Sequence, residues 1–256
     1  MRITWIGHST VLIELDGVRL LTDPMLRPRV AHLLRVAGRV DVAALGDVDA
    51  VLVSHLHYDH LDLGSLERLG QAVQLVVPTG AANLLQERGF SRITELDAGG
   101  EASIGAVTVR ATHAEHDGSR GPLGAHAAAL GYLVAGSARV YFAGDTDLFD
   151  DMRTVAPDLD VALVPIAGWG PRLPPGHLDP RRAAEAVQLL RPRIAVPIHW
   201  GTYRRIGLGR DEAVLRAPAD AFMRFAAEVA PETEVRVLPV GGSLELPVPN
   251  LEAVSS

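Results

Sequence analysis

Apolar and polar positions alternate from the first residues of the chain. RITWIG, STVLIELDG and VRLLTDP, between Arg2 and Asp23, have the period of two of half-buried strands, with Asp16-Gly17 as a tight-turn signal between the last two. The segment predicts a β-meander. Further on, DAVLVSH is a short apolar run that predicts a buried strand ending in the polar loop VSHLHYDHLD. LVVP reads as a strand, TGAANLLQERG as a short helix closed by Gly89, and the Ala106–Ala111 portion of SIGAVTVRATHAEHDG as a strand followed by a polar loop. GYLVAG and RVYFAGDTD pattern as a hairpin ending at Asp145. VALVPIAGWG is a buried strand running into a Gly/Pro-rich loop, where Trp169 is placed to line a pocket or fill the core.

Asp179-Pro180 opens a helix, Asp as cap and Pro at its first position, with Ala183, Ala186, Val187 and Leu190 as the apolar stripe. RIAVPIH is a strand delivering His199, and a helix near Ala217–Ala230 precedes the strands VRVLPV and SLEL. Met25–Val40 mixes Leu26, Val30, Leu33, Leu34 and Val36 with Arg27, Arg29, Arg35 and Arg39. That pattern predicts a helix packed on the domain, with an amphipathic lid or membrane contact as the alternative. Strands dominate early and alternate with helices later, each half having its own sheet and covering helices. The expected fold is α/β (α+β), four layers stacked helix, sheet, sheet, helix, in one domain over residues 1–256.

Composition narrows the function classes. With 48% apolar and 21% charged residues, and no apolar run near the ~20 positions that span a bilayer, the chain reads as soluble and globular. MRITWIGHST lacks the basic segment and apolar core of a signal peptide, so the expected location is the cytoplasm. The formal charge of −7 and the absence of a basic stripe argue against nucleic acid. A homo-oligomer and lipid contact are both left open. There is no cysteine, so any metal must be held by nitrogen and oxygen.

His55, His57, Asp59 and His60 crowd the loop after DAVLVSH too closely for a solvated face. In His-x-His on an extended segment, two side chains point the same way and grip one ion, while the adjacent Asp59-His60 pair reaches a second. Two divalent ions are therefore expected, zinc first and manganese or iron next. Further donors stand just after predicted strands: His116, Asp145 and His199. His113 is a rival to His116 on the same loop. Lying nearer the strand, it is read as a hydrogen-bond partner of a ligand rather than a ligand.

VSHLHYDHLD, AEHDG, FAGDTD and VPIHWGT resemble, in order and context, the metallo-β-lactamase superfamily, over nearly the whole chain. WIGHSTVLIELDG, LLTDP and HLDPRRAAEAVQLLRPRIAVPIHWGTY are similar to the branch containing N-acyl-phosphatidylethanolamine phospholipase D and the ascorbate-phosphate lactonases. The resemblance implies His55, His57 and His116 on the first metal, Asp59, His60 and His199 on the second, and Asp145 between them. It also implies a bridging hydroxide as nucleophile, which Asp59 can orient. His177, in PPGHLDP, falls where the branch has a histidine facing substrate, a proton donor to the leaving group. Asp23 is read as a carboxylate steadying a ligand imidazole, and His8 as structural. The expected activity is hydrolysis of an ester-like bond, phosphodiester or lactone, in a small molecule. A non-catalytic metal or ligand sensor on the same fold is the alternative, and the complete donor set weighs against it.

Overall fold

The computed structural model describes residues 1–121, 124–168, 173–207 and 211–247. Trp169 lies outside them. The amino-terminal part contains β1 (Arg2–Gly7), β2 (Thr10–Leu15), β3 (Val18–Thr22), β4 (Arg29–Val30), β5 (Leu33–Arg35), β6 (Ala50–Leu52), α1 (Leu63–Leu69), β7 (Gln74–Pro78), α2 (Ala82–Gln86) and β8 (Ile93–Leu96). There follow β9 (Glu101–Ile104), β10 (Val107–His113), β11 (Leu130–Ala135), β12 (Arg139–Phe142), β13 (Val161–Pro165), α3 (Pro180–Leu190), β14 (Ile194–Ile198), β15 (Tyr203–Arg205), α4 (Glu212–Val229), β16 (Glu234–Val235) and β17 (Ser243–Glu245).

Among the described residues the strands form two seven-stranded sheets, β17-β1-β2-β3-β6-β7-β8 and β16-β14-β13-β12-β11-β10-β9, and a small third sheet, β15-β5-β4. Alternation along each strand decides which layer it feeds. In β2, β3 and β6 the residues Val11, Ile13, Leu20 and Leu52 enter the core between the large sheets, while Leu12, Leu21 and Val51 face outward onto Leu66 of α1 and Leu85 of α2. On the far side Ala183, Ala186, Val187 and Leu190 of α3 join the core of the second sheet, with Phe222 of α4. Helices thus flank two mixed sheets, the α/β sandwich the pattern implies. Asp179 caps α3 by accepting from the backbone N–H of Arg181 and Arg182, both at 2.9 Å, with Pro180 at the first helical position. No helix of the described residues is long and apolar enough to cross a membrane.

Met25–Val40 corrects the helical expectation. It forms the hairpin β4–β5, which pairs with β15 through Leu33, Leu34 and Arg35. Val30 and Leu33 enter a small core with Met25 and Tyr203, whose hydroxyl donates to the carbonyls of Met25 and Arg27, both at 2.8 Å. Pro28 disfavours the helical region for the residue before it, and Ala31 turns with φ of 47°. The final helix begins at Glu212, earlier than expected, capped by Asp211 on the N–H of Ala213 at 2.9 Å, and carries Pro218 inside it.

Candidate metal centre

The donors converge because their strands run the same way. β3 and β6 are parallel, and so are β12, β13 and β14, so the loops leaving their carboxyl ends open at one edge of the sandwich. β1 and β10 each lie two antiparallel steps away from β3 and β12 and therefore end at the same edge. His8, Asp23, the His55–His60 loop, His116, Asp145 and His199 all follow these ends.

On one side His55 Nε2 and His116 Nε2 approach His57 Nδ1 at 3.0 and 3.2 Å. The far nitrogen of His116, Nδ1, donates to the Gly176 carbonyl at 2.8 Å, and His55 Nδ1 meets Ser54 Oγ at 2.9 Å. Each ring is thereby held with its other nitrogen directed into the trio. Burial, then the neighbouring His177 and His57, holds His116 down at about 4, against the pull of Asp145. Burial and then His60 likewise lower His55 and His57, so the trio is neutral and ligand-ready.

On the other side His60 Nε2 lies 3.2 Å from Asp145 Oδ2 and 3.7 Å from Asp59 Oδ2. His199 Nε2 lies 3.4 and 3.8 Å from the same two oxygens. Burial opposes charge on His60, Asp59 and Asp145. The carboxylates of Asp145 and Asp59 nevertheless hold His60 well above the imidazole range, while His60 and His199 hold both carboxyls well below theirs. His8 adds its Nε2 at 3.3 Å from Asp59 Oδ2.

Donor atoms within 4.8 Å of one another fall into the groups His55/His57/His116, His8/Asp59/His60/His199, Asp23/His55/His60 and His116/Asp145/His177. The fit to a cation is chemical as well as spatial. Among the described residues, His60 Nε2 and Asp145 Oδ1 are buried without a hydrogen-bond partner, an arrangement costly in a protein interior unless a further group binds there. Neutral imidazole and carboxylate are the donor types that a borderline divalent ion takes.

Every donor named from sequence reaches this edge. His177 sits at its mouth, Nε2 at 3.6 Å from Asp145 Oδ2 and its ring edge-on to His116. Asp23 accepts from His60 Nδ1 at 2.7 Å, as a carboxylate steadying an imidazole should. His113 is a correction: it is exposed, pairs with Glu115 at 3.3 Å and packs edge-on against Phe149, and among the described residues it makes no hydrogen bond to a donor. His8, read from the sequence as structural, also lies at this edge, beside Asp59 and His199. Like His55, Asp145 and His199, it follows closely after a strand.

Two mixed sheets packed face to face beneath flanking helices, with a His-x-His-x-Asp-His loop and remote His and Asp donors at one edge, define a metal-dependent hydrolase of the metallo-β-lactamase fold. The chain belongs to the beta-lactamase superfamily, whose domain model matches residues 18–200. It is 34% identical over 261 residues to a metal-dependent hydrolase of Methanopyrus kandleri, covering 96% of this chain and 100% of that protein. It is also 34% identical over 228 residues to an N-acyl-phosphatidylethanolamine-hydrolyzing phospholipase D of Caenorhabditis elegans, covering 78% of this chain but 64% of the worm protein. The chain thus spans less than two thirds of that relative. Among solved structures, a metallo hydrolase of the archaeon Ignicoccus hospitalis matches with a TM-score of 0.73 at 25% identity, covering 96% of this chain and 99% of that one.

Proposed function

We propose that the protein is a dinuclear metal-dependent hydrolase of an ester-like bond in a small molecule, with a phosphodiester favoured over a lactone. The observation that carries this reading is the pair of donor groups, His55/His57/His116 and Asp59/His60/His199, with Asp145 between them. Zinc suits this nitrogen and oxygen set best, with manganese or iron next. When bound, such ions supply Lewis-acid polarisation of the attacked group and lower the pKa of water toward ~7.

The chain's own residues supply orientation and a proton. Asp23 fixes the His60 ring through Nδ1, and the Gly176 carbonyl fixes His116 through Nδ1. Asp145 is buried between His60, His199 and His177, with its carboxyl held ionised. His177 is anchored on its Nδ1 side by the carbonyls of Pro174 and Pro175 at 3.2 and 3.3 Å. Its Nε2 points to Asp145, at the place where a leaving group would take a proton. The phosphodiester preference rests on the identity with the worm phospholipase D. The small-molecule preference rests on the charge of −7, which disfavours nucleic acid.

Turnover of a panel of phosphodiesters, lactones and thioesters by metal-replete protein, with elemental analysis alongside, tests the reading. The expected result is about two ions per chain and phosphodiester hydrolysis that is lost on chelation and restored by metal. No turnover of any ester-like bond, or a single ion that reconstitution does not increase, would overturn it.

A further inference from the structure

His8 has no role in the reading above, yet its surroundings are the most constrained at the donor edge. Its ring is buried, with its centroid 3.9 Å from that of His199. Its carbonyl accepts from Trp5 Nε1 at 2.8 Å and from the backbone N–H of His199 at 2.9 Å, and its own N–H donates to Thr202 Oγ1 at 2.8 Å. Trp5 stacks on Trp200 with ring centroids 5.0 Å apart. GHST after β1 and HWGT after β14 are therefore one interlocked unit.

The backbone is built for this approach. Gly7 takes φ of 125°, and a Cβ there would come within 2.6 Å of Thr202 Cγ2. His8 itself takes φ of 56°, a left-handed conformation uncommon for a residue with a side chain. Such conformations persist where the surrounding structure over-determines them, and they cluster at functional sites. The strained backbone delivers the imidazole to Asp59: His8 Nε2 lies 3.3 Å from Oδ2. That same oxygen is 3.7 Å from His60 Nε2 and 3.8 Å from His199 Nε2.

We propose that His8 is a positioning residue that sets the affinity of the Asp59/His60/His199 group for its ion. Its Nε2, 3.3 Å from Asp59 Oδ2, pairs with that carboxylate and holds it toward His60 and His199, while its carbonyl fixes the backbone that carries His199. Asp59 is the donor that needs this help. It is partly exposed, whereas His60, His55 and His116 are already held by Asp23, Ser54 and Gly176. His8 acts through Asp59 and His199 and touches no substrate.

The inference rests on the two-ion reading, and its test separates the two. Metal-free wild type, His8→Ala and His8→Gln are titrated with zinc against a chromophoric chelator, and with cobalt followed by visible absorption. Wild type should bind two ions. His8→Ala should keep one at wild-type affinity and weaken the other on the order of 10–100-fold, the usual cost of losing a group that orients a ligand. His8→Gln, whose amide N–H reaches where Nε2 reaches, should recover most of that loss. Ala and Gln share the same unfavourable backbone conformation, so the difference between them reports the donor. Should His8→Ala fail to fold, His8→Gln carries the test alone, with near-wild-type affinity supporting the proposal and an Ala-sized loss overturning it. Wild type holding two ions while His8→Ala binds both equally well removes the role of His8 and leaves the dinuclear reading intact. Wild type holding fewer than two removes both.

Discussion

Asp23 and His60, 37 positions apart in the chain, are joined by a 2.7 Å hydrogen bond between the buried carboxylate Oδ2 and the imidazole Nδ1. The same carboxylate accepts from the backbone N–H and hydroxyl of Ser54 at 2.7 and 2.6 Å. One side chain at the end of β3 thus sets both the exit of the histidine loop from β6 and the tilt of one of its rings. Burial pushes the Asp23 carboxyl above its ordinary value, against the pull of His60 and Ser54.

Asp23→Ala leaves the Ser54 N–H and His60 Nδ1 buried without an acceptor, at about 1–3 kcal/mol for each unsatisfied group. The expected outcome is a less stable protein in urea unfolding and a loss of affinity for one ion on the order of 10–100-fold. Unchanged metal titration would mean that His60 is oriented by other contacts.

Asp145→Ala removes the carboxylate that lies between His60, His199 and His177. Metal content should fall by about one ion or more per chain and hydrolysis should be abolished, with Asn nearly as damaging because it lacks the charge that offsets two cations. Elemental analysis together with an activity assay decides it. Retention of both ions and full turnover would show that the donor groups do not share Asp145.

His116→Ala and His113→Ala should separate cleanly. The first removes a ring whose Nε2 meets His57 at 3.2 Å, so the imidazole trio should lose its ion. The second removes an exposed ring that pairs with Glu115 and packs on Phe149, so metal content and rate should match wild type within error. Metal binding that tracks His113 would exchange the two.

His177→Ala is expected to leave metal content unchanged and to slow hydrolysis by about 10²–10⁴-fold, the usual contribution of a positioned acid. The loss should shrink for a nitrophenyl phosphodiester, whose leaving group needs little protonation. Its ring is also within ligand reach of His116 and Asp145, so a drop in metal content would assign it to the metal instead.

The imidazole trio should also resist acid. His116 is held at about 4, with burial the largest cause, and His55 and His57 are lowered too. Neutral imidazole binds metal, so lowering these values moves proton competition downward from the ordinary ~6.5. Metal content after dialysis across this range should hold at about pH 5.5 and fall only nearer pH 4. Loss of the trio's ion with a midpoint near ~6.5 would contradict the burial seen here.

Much of this was legible in the chain because the two signals are local. Period-two alternation in β1, β2, β3 and β10 marks strands, and donors placed directly after strand ends mark the edge where they meet. What escaped depends on partners far away in sequence. Met25–Val40 has apolar residues at helical spacing, and only β15, more than 160 positions on, makes it a hairpin. The local warning was Arg27-Pro28. Alternation through Val107, Val109 and Ala111 directs His113 to the core, yet at the last residue of β10 it lies exposed against Glu115. His8 looked structural because its partners, Asp59 and His199, are unremarkable to it in sequence and meet it only once both sheets are packed.

The pairing of β1 with β17 and the closing of GHST on HWGT have a consequence for synthesis. As the chain leaves the ribosome, the β1–β2–β3 meander emerges well before β17, so the outer edge of β1 stays bare until Ser243–Glu245 arrives to cover it. Contacts so distant in sequence form slowly, and an open strand edge invites pairing with other nascent chains. Arg2 and Thr4 put a charge and a hydroxyl on that edge in the meantime, where they later meet Ser243. Metal added before translation passes His199 has only part of its donor set to bind, so the centre is among the last parts of the molecule to mature.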